Sequence, residues 1–199
     1  MNNSITFTWL PATADNWSDL VSVFGERGGR EGCWCMRWRL PREQFEKQKG
    51  ERNRRALESG IALGKIKGVV GYVNGTPAAW CSLGPRSEFT ELGESDLLAP
   101  VDDKPVWSIS CLFVARSFRR QGINDLLLAA VVEYAGQQGA KIVEGYPLSP
   151  ASPKVPVAAA WTGFETVFVR GDFVEIARRV PMRPIYRRDI ELVSVEKNS

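Results

Sequence analysis

Histidine is absent from the 199 residues of this chain. The absence excludes Ser-His-Asp triads, Cys-His dyads and most zinc sites, because each of them needs an imidazole. Cysteine is scarce, and its four copies stand in apolar surroundings, which favours a reducing compartment over a disulfide framework. We therefore expect no metal ion.

Long apolar runs and blocks of like charge are missing too. No run approaches the roughly 18 to 20 apolar residues that a membrane span needs, and the first residues lack the basic flank of a signal peptide. The net charge of +3 is scattered along the sequence, so it does not argue for nucleic acid or an anionic membrane. These features predict a cytoplasmic protein that binds no nucleic acid and no membrane. A homodimer is left open.

The residues that are present fit a globular domain. Apolar residues make up 44% of the chain and charged residues 25%, which is ample for one packed core. We predict a single domain over residues 1–199, without internal repeats.

Local patterns predict the strands and helices. The pair Asn74-Gly75 is typical of a type I′ turn, because both residues tolerate positive φ angles. It predicts a hairpin of residues 69–73 and 78–83, and a buried strand over 106–114 precedes a helix over 122–138. The other predicted strands are 5–10, 141–148, 173–180 and 183–192, and the other predicted helices are 15–24, 41–60 and 165–170. This order predicts an α/β domain with a mixed sheet.

The stretch from Phe113 to Ala135 combines three arginines, a glycine and an amphipathic helix. A helix start leaves about four backbone N–H groups without partners and carries roughly half a positive charge. Gly122 lets a ligand approach the backbone, and Arg119 and Arg120 add two cations. The stretch therefore predicts a site for a multiply charged anion, above all a diphosphate. The predicted packed face of the helix consists of Ile123, Leu126, Leu127, Ala130, Val131 and Tyr134.

This stretch resembles the R/Q-x-x-G-x-G/A acetyl-CoA motif of the GNAT superfamily of N-acetyltransferases, with Asn124 in place of the last Gly/Ala. The resemblance implies that the loop and helix start bind the CoA pyrophosphate. It also implies that the preceding strand bonds the acetyl and pantetheine portions through its backbone. The cofactor-binding residues that it implies are Leu112, Phe113, Val114, Arg119, Arg120, Gln121, Gly122, Ile123 and Asn124.

The resemblance extends over most of the chain. Four stretches are similar to those of a bacterial subgroup of the family: "CWCMRW", "VVGYVNGTPAAWCSLGPRSEF", "DDKPVWSISCLFV" and "VEGYPL". It implies a GNAT fold: a mixed, mostly antiparallel twisted sheet of six to seven strands, with helices on both faces and a central acetyl-CoA-binding β-α unit. It further implies that the helical residues 1–65 shape the acceptor site. Trp34, Met36 and Trp38 would then line the substrate pocket.

The activity implied is acetyl transfer from acetyl-CoA to a primary amine of a small molecule or protein, by direct attack in a ternary complex. A backbone N–H at Phe113 or Val114 would polarise the thioester carbonyl. Many relatives carry a tyrosine acid four residues before a Gly-Phe pair. The matching position is Phe168 if the pair is Gly171–Phe173, or Ala159 if it is Gly163-Phe164, and neither side chain can donate a proton.

The candidates for a replacement acid and for a base are chosen because they lie near the predicted acetyl-CoA site. Tyr146 on the next strand is a candidate acid, against the alternative of a packed aromatic. Glu144 is the favoured base, because a buried carboxylate has a raised pKa, against the alternative of a solvated acid. Glu88 and Asp103 are further carboxylates near this region.

Several alternatives stay open. The stretch "CWCMRW" invites a metal or redox interpretation, but a buried aromatic–sulfur cluster is favoured. Cys111 is either a nucleophile or a small buried residue. The donor is acetyl-CoA or a longer acyl-CoA. The rival functions are a non-catalytic, regulatory CoA-binding protein and a nucleic-acid-binding domain.

Overall fold

The computed structural model describes residues 5–149 and 160–190. Their backbone forms one seven-stranded sheet in the order β1-β2-β3-β4-β5-β7-β6. The strands are β1 (Phe7–Pro11), β2 (Lys67–Val73), β3 (Thr76–Pro85), β4 (Trp107–Val114), β5 (Ile142–Gly145), β6 (Val174–Ala177) and β7 (Ile185–Asp189). The helices are α1 (Trp17–Phe24), α2 (Arg42–Gln48), α3 (Glu51–Ala62), the single turn α4 (Thr90–Gly93), α5 (Ile123–Gln137) and α6 (Glu165–Arg170). The far end of the predicted strand 183–192 lies outside the described residues.

All strand pairs are antiparallel except β4–β5, which is parallel. Successive side chains of a strand point to opposite faces of a sheet. Cys81 and Leu112 accordingly pack in a core with α5 and α6, whereas their neighbours Trp80 and Cys111 pack in a second core with α1 and α3. The strand directions confirm the predicted mixed, mostly antiparallel sheet. Helices cover both of its faces, as was also predicted.

The β2–β3 hairpin turns as its sequence predicts. Asn74 and Gly75 have φ angles of 48° and 77°, the left-handed conformation that a type I′ turn requires at both positions. The Asn74 side chain also accepts a hydrogen bond from the Thr6 N–H at 2.9 Å, which fastens the turn to the chain before β1.

The helix predicted over 41–60 is two helices, because the chain breaks at Lys49-Gly50. Gly50 has a φ of 88°, and its N–H donates to the Gly32 carbonyl at 2.9 Å. A Cβ on Gly32 would lie 2.3 Å from the Gly50 nitrogen, so this contact needs a glycine. The hydrogen bond at this break thus joins the α1–α2 loop to the junction between α2 and α3.

One residue of the predicted packed face of α5 was wrong. Leu126 is 40% exposed, while the other five predicted positions are buried. The helix also packs against α6, where Leu128 approaches Gly171 closely. Contact with α6 in addition to the sheet rotates the buried face towards Leu128 and Val132. Within the described ranges, no helix is long and apolar enough to cross a bilayer.

Candidate functional site

Strand β4 opens a cleft at its carboxyl end. It pairs with β5 at only two positions, Trp107 with Val143 and Ser108 with Glu144, and beyond them the two strands diverge. On the other side of β4 the register skips one residue, Ser110, between the partners of Ser82 and Leu83. Such a β-bulge bends a strand and re-aims its side chains.

The segment 160–163 bridges this cleft. The Leu112 N–H donates to the Trp161 carbonyl at 2.7 Å, and the Leu148 N–H, beyond β5, donates to the Gly163 carbonyl at 2.8 Å. Leu112 is therefore a residue of β4 whose N–H faces the cleft. The sequence had predicted the carbonyl-polarising donor at Phe113 or Val114.

The turn between β4 and α5 presents a row of free N–H groups. Arg120 and Gly122 have φ angles of 63° and 76°, and in the described part of the chain the N–H groups of residues 120–124 have no backbone acceptor. No side chain caps the helix start. Consecutive N–H groups in such a turn, added to the helix dipole, form a concave anion site.

Side chains of the same turn hold it in place. The Arg119 Nε donates to the Val114 carbonyl at 2.9 Å, and the Gln121 Nε2 donates to the Ser117 carbonyl at 3.0 Å. The structure thus brings the predicted cofactor residues of β4 together with those of the turn. Their role in binding CoA remains a prediction.

A cavity of about 180 Å³ adjoins the β-bulge. Ser110, Cys111 and Phe113 of β4 line one side of it. The end of α1, the α1–α2 loop and α2 line the other side, and Trp161 of the bridging segment completes the wall.

Only one of the three predicted pocket residues lines this cavity. Trp38 does so, whereas Trp34 and Met36 are buried in the core behind it. Trp34 has a φ of 45°, and its indole nitrogen would lie 2.0 Å from a Cβ on Gly28. The glycine-rich loop therefore folds tightly over Trp34 and turns it away from the cavity.

Glu144 and Tyr146 lie in a buried ionic network. Glu144 is 1% exposed, and its two oxygens accept from the Arg86 Nη1 at 3.0 Å and from the Arg187 Nε at 2.7 Å. The Tyr146 hydroxyl donates to Glu144 at 2.5 Å and lies 2.8 Å from the Ser108 hydroxyl. Burial, followed by the Glu144 charge, raises the pKa of Tyr146 well above its usual value.

This environment favours a structural role for both residues. Neither of them lines the cavity. Both Glu144 oxygens already accept hydrogen bonds from arginine side chains, and a phenol with a raised pKa gives up its proton reluctantly. The roles of Glu144 as base and Tyr146 as acid stay predictions.

The other acid and base candidates also lie away from the cavity. Glu88 pairs with Arg39 at 3.3 Å and with Lys67 at 3.8 Å, and Asp103 is exposed in the connection before β4. Phe168 is fully buried and packs against Phe173 with ring centroids 5.0 Å apart. Ala159 lies outside the described residues.

Both candidate Gly-Phe pairs carry a left-handed residue at the glycine position. Asp172 of the first has a φ of 59° and Gly163 of the second has a φ of 87°, the conformation that glycine adopts most readily. Both matches to the family pair therefore stay predictions.

Cysteines cluster between the α1–α2 loop and the sheet. The Cys35 sulfur accepts from the Trp80 indole at 3.2 Å, and Cys33, Cys35 and Cys111 all line the cavity. Burial raises the pKa of Cys33 to about 11 and that of Cys35 well above its usual value, which keeps these thiols protonated and unreactive. In the two described ranges, no group of three or more His, Cys, Asp or Glu side chains could hold a metal ion.

Several residues of this region carry no recognisable signal in the sequence. Arg86 and Arg187 stand 58 and 43 positions from Glu144, and no local pattern joins them. Phe24, Phe45 and Trp161 line the cavity but look like ordinary core residues in the sequence.

The chain matches the acetyltransferase (GNAT) family model over residues 33–147. The match spans more than half of the chain, and the protein belongs to this family. The predicted family and the predicted GNAT fold are confirmed. A search of curated proteins finds no match.

Solved structures agree in fold. PaiA N-acetyltransferase from Thermoplasma acidophilum, solved with coenzyme A, is 13% identical, with a TM-score of 0.50 over 94% of this chain and 99% of that one. The aminoglycoside N-acetyltransferase AAC(6')-Iy, solved with CoA, is 16% identical, with a TM-score of 0.53 over 90% of this chain and 95% of that one. A Bacillus halodurans protein is 14% identical, with a TM-score of 0.55 over 92% and 83%. At these identities the likeness concerns the fold alone.

Proposed function

We propose that this protein is an acetyl-CoA-dependent N-acetyltransferase. The observation that carries the proposal is the row of N–H groups at residues 120–124, which has no backbone acceptor in the described chain and stands at the carboxyl end of the diverging strand β4. A diphosphate bound there is stabilised by the helix dipole and by Arg119 and Arg120. Membership of the acetyltransferase family supports the assignment, as do two structural neighbours solved with coenzyme A.

The cofactor then extends from the diphosphate along β4. The cleft-facing Leu112 N–H is the donor that we assign to the thioester carbonyl. This N–H already donates to a carbonyl oxygen, that of Trp161, at 2.7 Å. The thioester oxygen takes the place of that carbonyl oxygen and is an acceptor of the same chemical kind. Binding of acetyl-CoA therefore displaces the Trp161 carbonyl from β4.

The reaction is a direct attack of the neutral amine on the thioester carbon. Negative charge develops on the carbonyl oxygen, where a fixed N–H donor stabilises it. Collapse of the tetrahedral intermediate breaks the C–S bond and releases the CoA thiolate. We assign both proton transfers to water, because Phe168 cannot donate a proton and the Glu144–Tyr146 pair is sealed in the core.

The acceptor binds in the cavity beside the bulge. Ser110 and Cys111 line it from β4, and the helical N-terminal part lines it from the other side. In this proposal residues 1–199 form one N-acetyltransferase domain, of which residues 1–65 shape the acceptor site. The cleft and the cavity then meet at β4, where transfer takes place.

Titration calorimetry with acetyl-CoA, followed by a CoA-release assay over a panel of primary amines, tests the proposal. We expect one acetyl-CoA per chain and CoA release that depends on both substrates. Binding without turnover of any amine would favour the non-catalytic CoA-binding alternative. Absence of binding heat at several temperatures would contradict the proposal as a whole.

A further inference from the structure

The bulge in β4 turns Ser110 towards the cavity. Ile109 and Leu112 both pack in the core with α5, although a regular strand places residues three apart on opposite faces. The extra residue is Ser110, which has no partner in the β3 register. The bulge thus places Ser110 beside Cys111, on the face of the sheet that carries α1 and α3. Both residues line the cavity.

A hydrogen bond fixes the direction of the Ser110 hydroxyl. The hydroxyl donates to the Ser82 carbonyl of β3 at 3.2 Å. The residue is almost fully buried, so bulk water competes little for this bond. A serine hydroxyl has one proton and two acceptor lone pairs. With its proton on the Ser82 carbonyl, Ser110 offers the cavity an oxygen that can only accept a hydrogen bond.

Hydrogen-bond acceptors are scarce in the rest of the lining. Arginine, lysine and tryptophan side chains are donors only, and a protonated thiol is a weak acceptor. Among the described residues that line the cavity, side-chain oxygens belong to Ser110 and Glu31 alone. Glu31 is 68% exposed and lies 3.9 Å from Arg30 and 3.8 Å from Lys49. It therefore stands at the solvent-facing side of the cavity, where cations already surround it.

An attacking primary amine needs an acceptor of this kind. Its lone pair must point at the thioester carbon, so its N–H bonds point elsewhere and need a partner in the cavity. The nitrogen becomes positively charged as the C–N bond forms, so an N–H···O bond to it strengthens in the transition state. Ser110 and the cleft-facing N–H of Leu112 are two residues apart on β4, at most roughly 7 Å. Two hydrogen bonds of about 3 Å each, with the reacting atoms between them, span this distance.

We propose that the Ser110 hydroxyl accepts a hydrogen bond from the acceptor amine and aims the lone pair of the amine at the thioester carbon. The inference rests on the proposed function, since it takes the cavity as the acceptor site. The C–N bond forms, the C–S bond breaks, and the surplus proton of the amine leaves to water. Ser110 keeps its own proton on the Ser82 carbonyl throughout. It is thereby a catalytic residue that acts by orientation and not as a base.

Ser110→Ala removes this oxygen and should lower kcat about tenfold, the effect of one hydrogen bond that strengthens in the transition state. The affinity for acetyl-CoA should stay unchanged, which calorimetry measures. Steady-state kinetics give kcat for the primary amine of highest turnover among n-butylamine, spermidine and kanamycin. Ser110→Thr keeps the hydroxyl, so its kcat should stay near the wild-type value.

Ser108→Ala is the matched control. Ser108 is a buried serine of the same strand, and its hydroxyl also has a hydrogen-bond partner, the Tyr146 hydroxyl at 2.8 Å. It does not line the cavity, so its replacement should lower stability and leave kcat unchanged.

Three results would overturn the inference and leave the acetyltransferase proposal standing. They are an unchanged kcat in Ser110→Ala, an equal fall of kcat in the two alanine variants, and a kcat for Ser110→Thr as low as that of Ser110→Ala. A wild-type protein that releases no CoA with any of the three amines would instead contradict the proposed reaction, and the inference with it.

Discussion

Gly122 and Gly139 stand at opposite ends of α5 and share a left-handed backbone. Their φ angles are 76° and 83°, and a Cβ on either would meet no atom within 4 Å. An alanine at either position therefore costs backbone strain of about 1 kcal/mol and no clash. Only Gly122 belongs to the row of free N–H groups, so the open space beside it is where we place the diphosphate.

We predict that Gly122→Ala weakens acetyl-CoA binding about tenfold, a loss of roughly 1.4 kcal/mol. The new methyl group projects into the diphosphate space, and the strain shifts the N–H groups. Gly139→Ala is the matched control and should lose the same stability with unchanged affinity. Calorimetry and thermal unfolding of both variants measure this. An equal loss of affinity in the two would show that the helix start is not the anion site.

At this scale the sequence predicted what depends on local motifs. Arg119, Arg120 and Gly122 form a contiguous pattern, and the structure places them together at the helix start. The residues that line the cavity were harder to predict. Trp34 and Trp38 belong to one short aromatic segment, and of the two only Trp38 lines the cavity. The difference arises from left-handed turns at Trp34 and Cys35, which hydrophobic periodicity does not report.

At the scale of elements, the β4–β5 junction is held by the network around Glu144. Arg86, in the turn after β3, donates to the Leu92 and Leu98 carbonyls at 2.9 and 2.5 Å as well as to Glu144. It thereby fastens the connection between β3 and β4 to the sheet. The network keeps the strands paired up to the point where the cleft begins.

We predict that Glu144→Gln lowers the free energy of unfolding by about 3 to 5 kcal/mol, because it leaves two arginines without their buried counter-charge. Urea unfolding measures the loss, and kcat/KM per folded molecule should stay near the wild-type value. Asp103→Asn is the control: it changes another candidate base, but an exposed one, and should leave stability unchanged. A hundredfold fall in kcat/KM with intact stability would instead make Glu144 the base.

Elements with local signals were predicted well, and their ends less so. The Asn74-Gly75 turn and the helix Glu165–Arg170 were found as predicted. Strand β5 is shorter than the predicted 141–148, because divergence from β4 ends it at Gly145. There Phe168 packs so closely that a Cβ on Gly145 would lie 2.1 Å from its ring. Such an ending depends on tertiary contacts.

At the scale of the whole molecule, the GNAT fold was predictable because its central β-α unit carries a motif and the other elements follow in the family order. The burial of polar groups across the sheet was not predictable in this way. Tyr72 of β2 donates to Asp19 of α1 at 2.9 Å, and Tyr186 of β7 donates to Glu165 of α6 at 2.8 Å. These hydroxyls tie helices to both halves of the sheet.

The two tyrosine–carboxylate hydrogen bonds predict that the protein loses stability at alkaline pH. Burial, together with the neighbouring carboxylate, raises the pKa of Tyr72 and that of Tyr186 to about 12 each, whereas an unfolded tyrosine titrates near about 10. Between these values the unfolded chain loses phenolic protons that the native state retains. Their contribution to stability is therefore complete below about pH 10 and is lost as the pH rises towards 12.

Denaturant unfolding between pH 8 and 11.5 should show the free energy of unfolding level at first and then falling above about pH 10. Tyr72→Phe, which has no proton to lose, should make the fall shallower, although it starts from a lower stability because the bond to Asp19 is gone. Tyr186→Phe should do the same independently, since the two residues lie at separate parts of the sheet. An unfolding free energy that stays level or rises above pH 10 in the wild type would contradict the prediction.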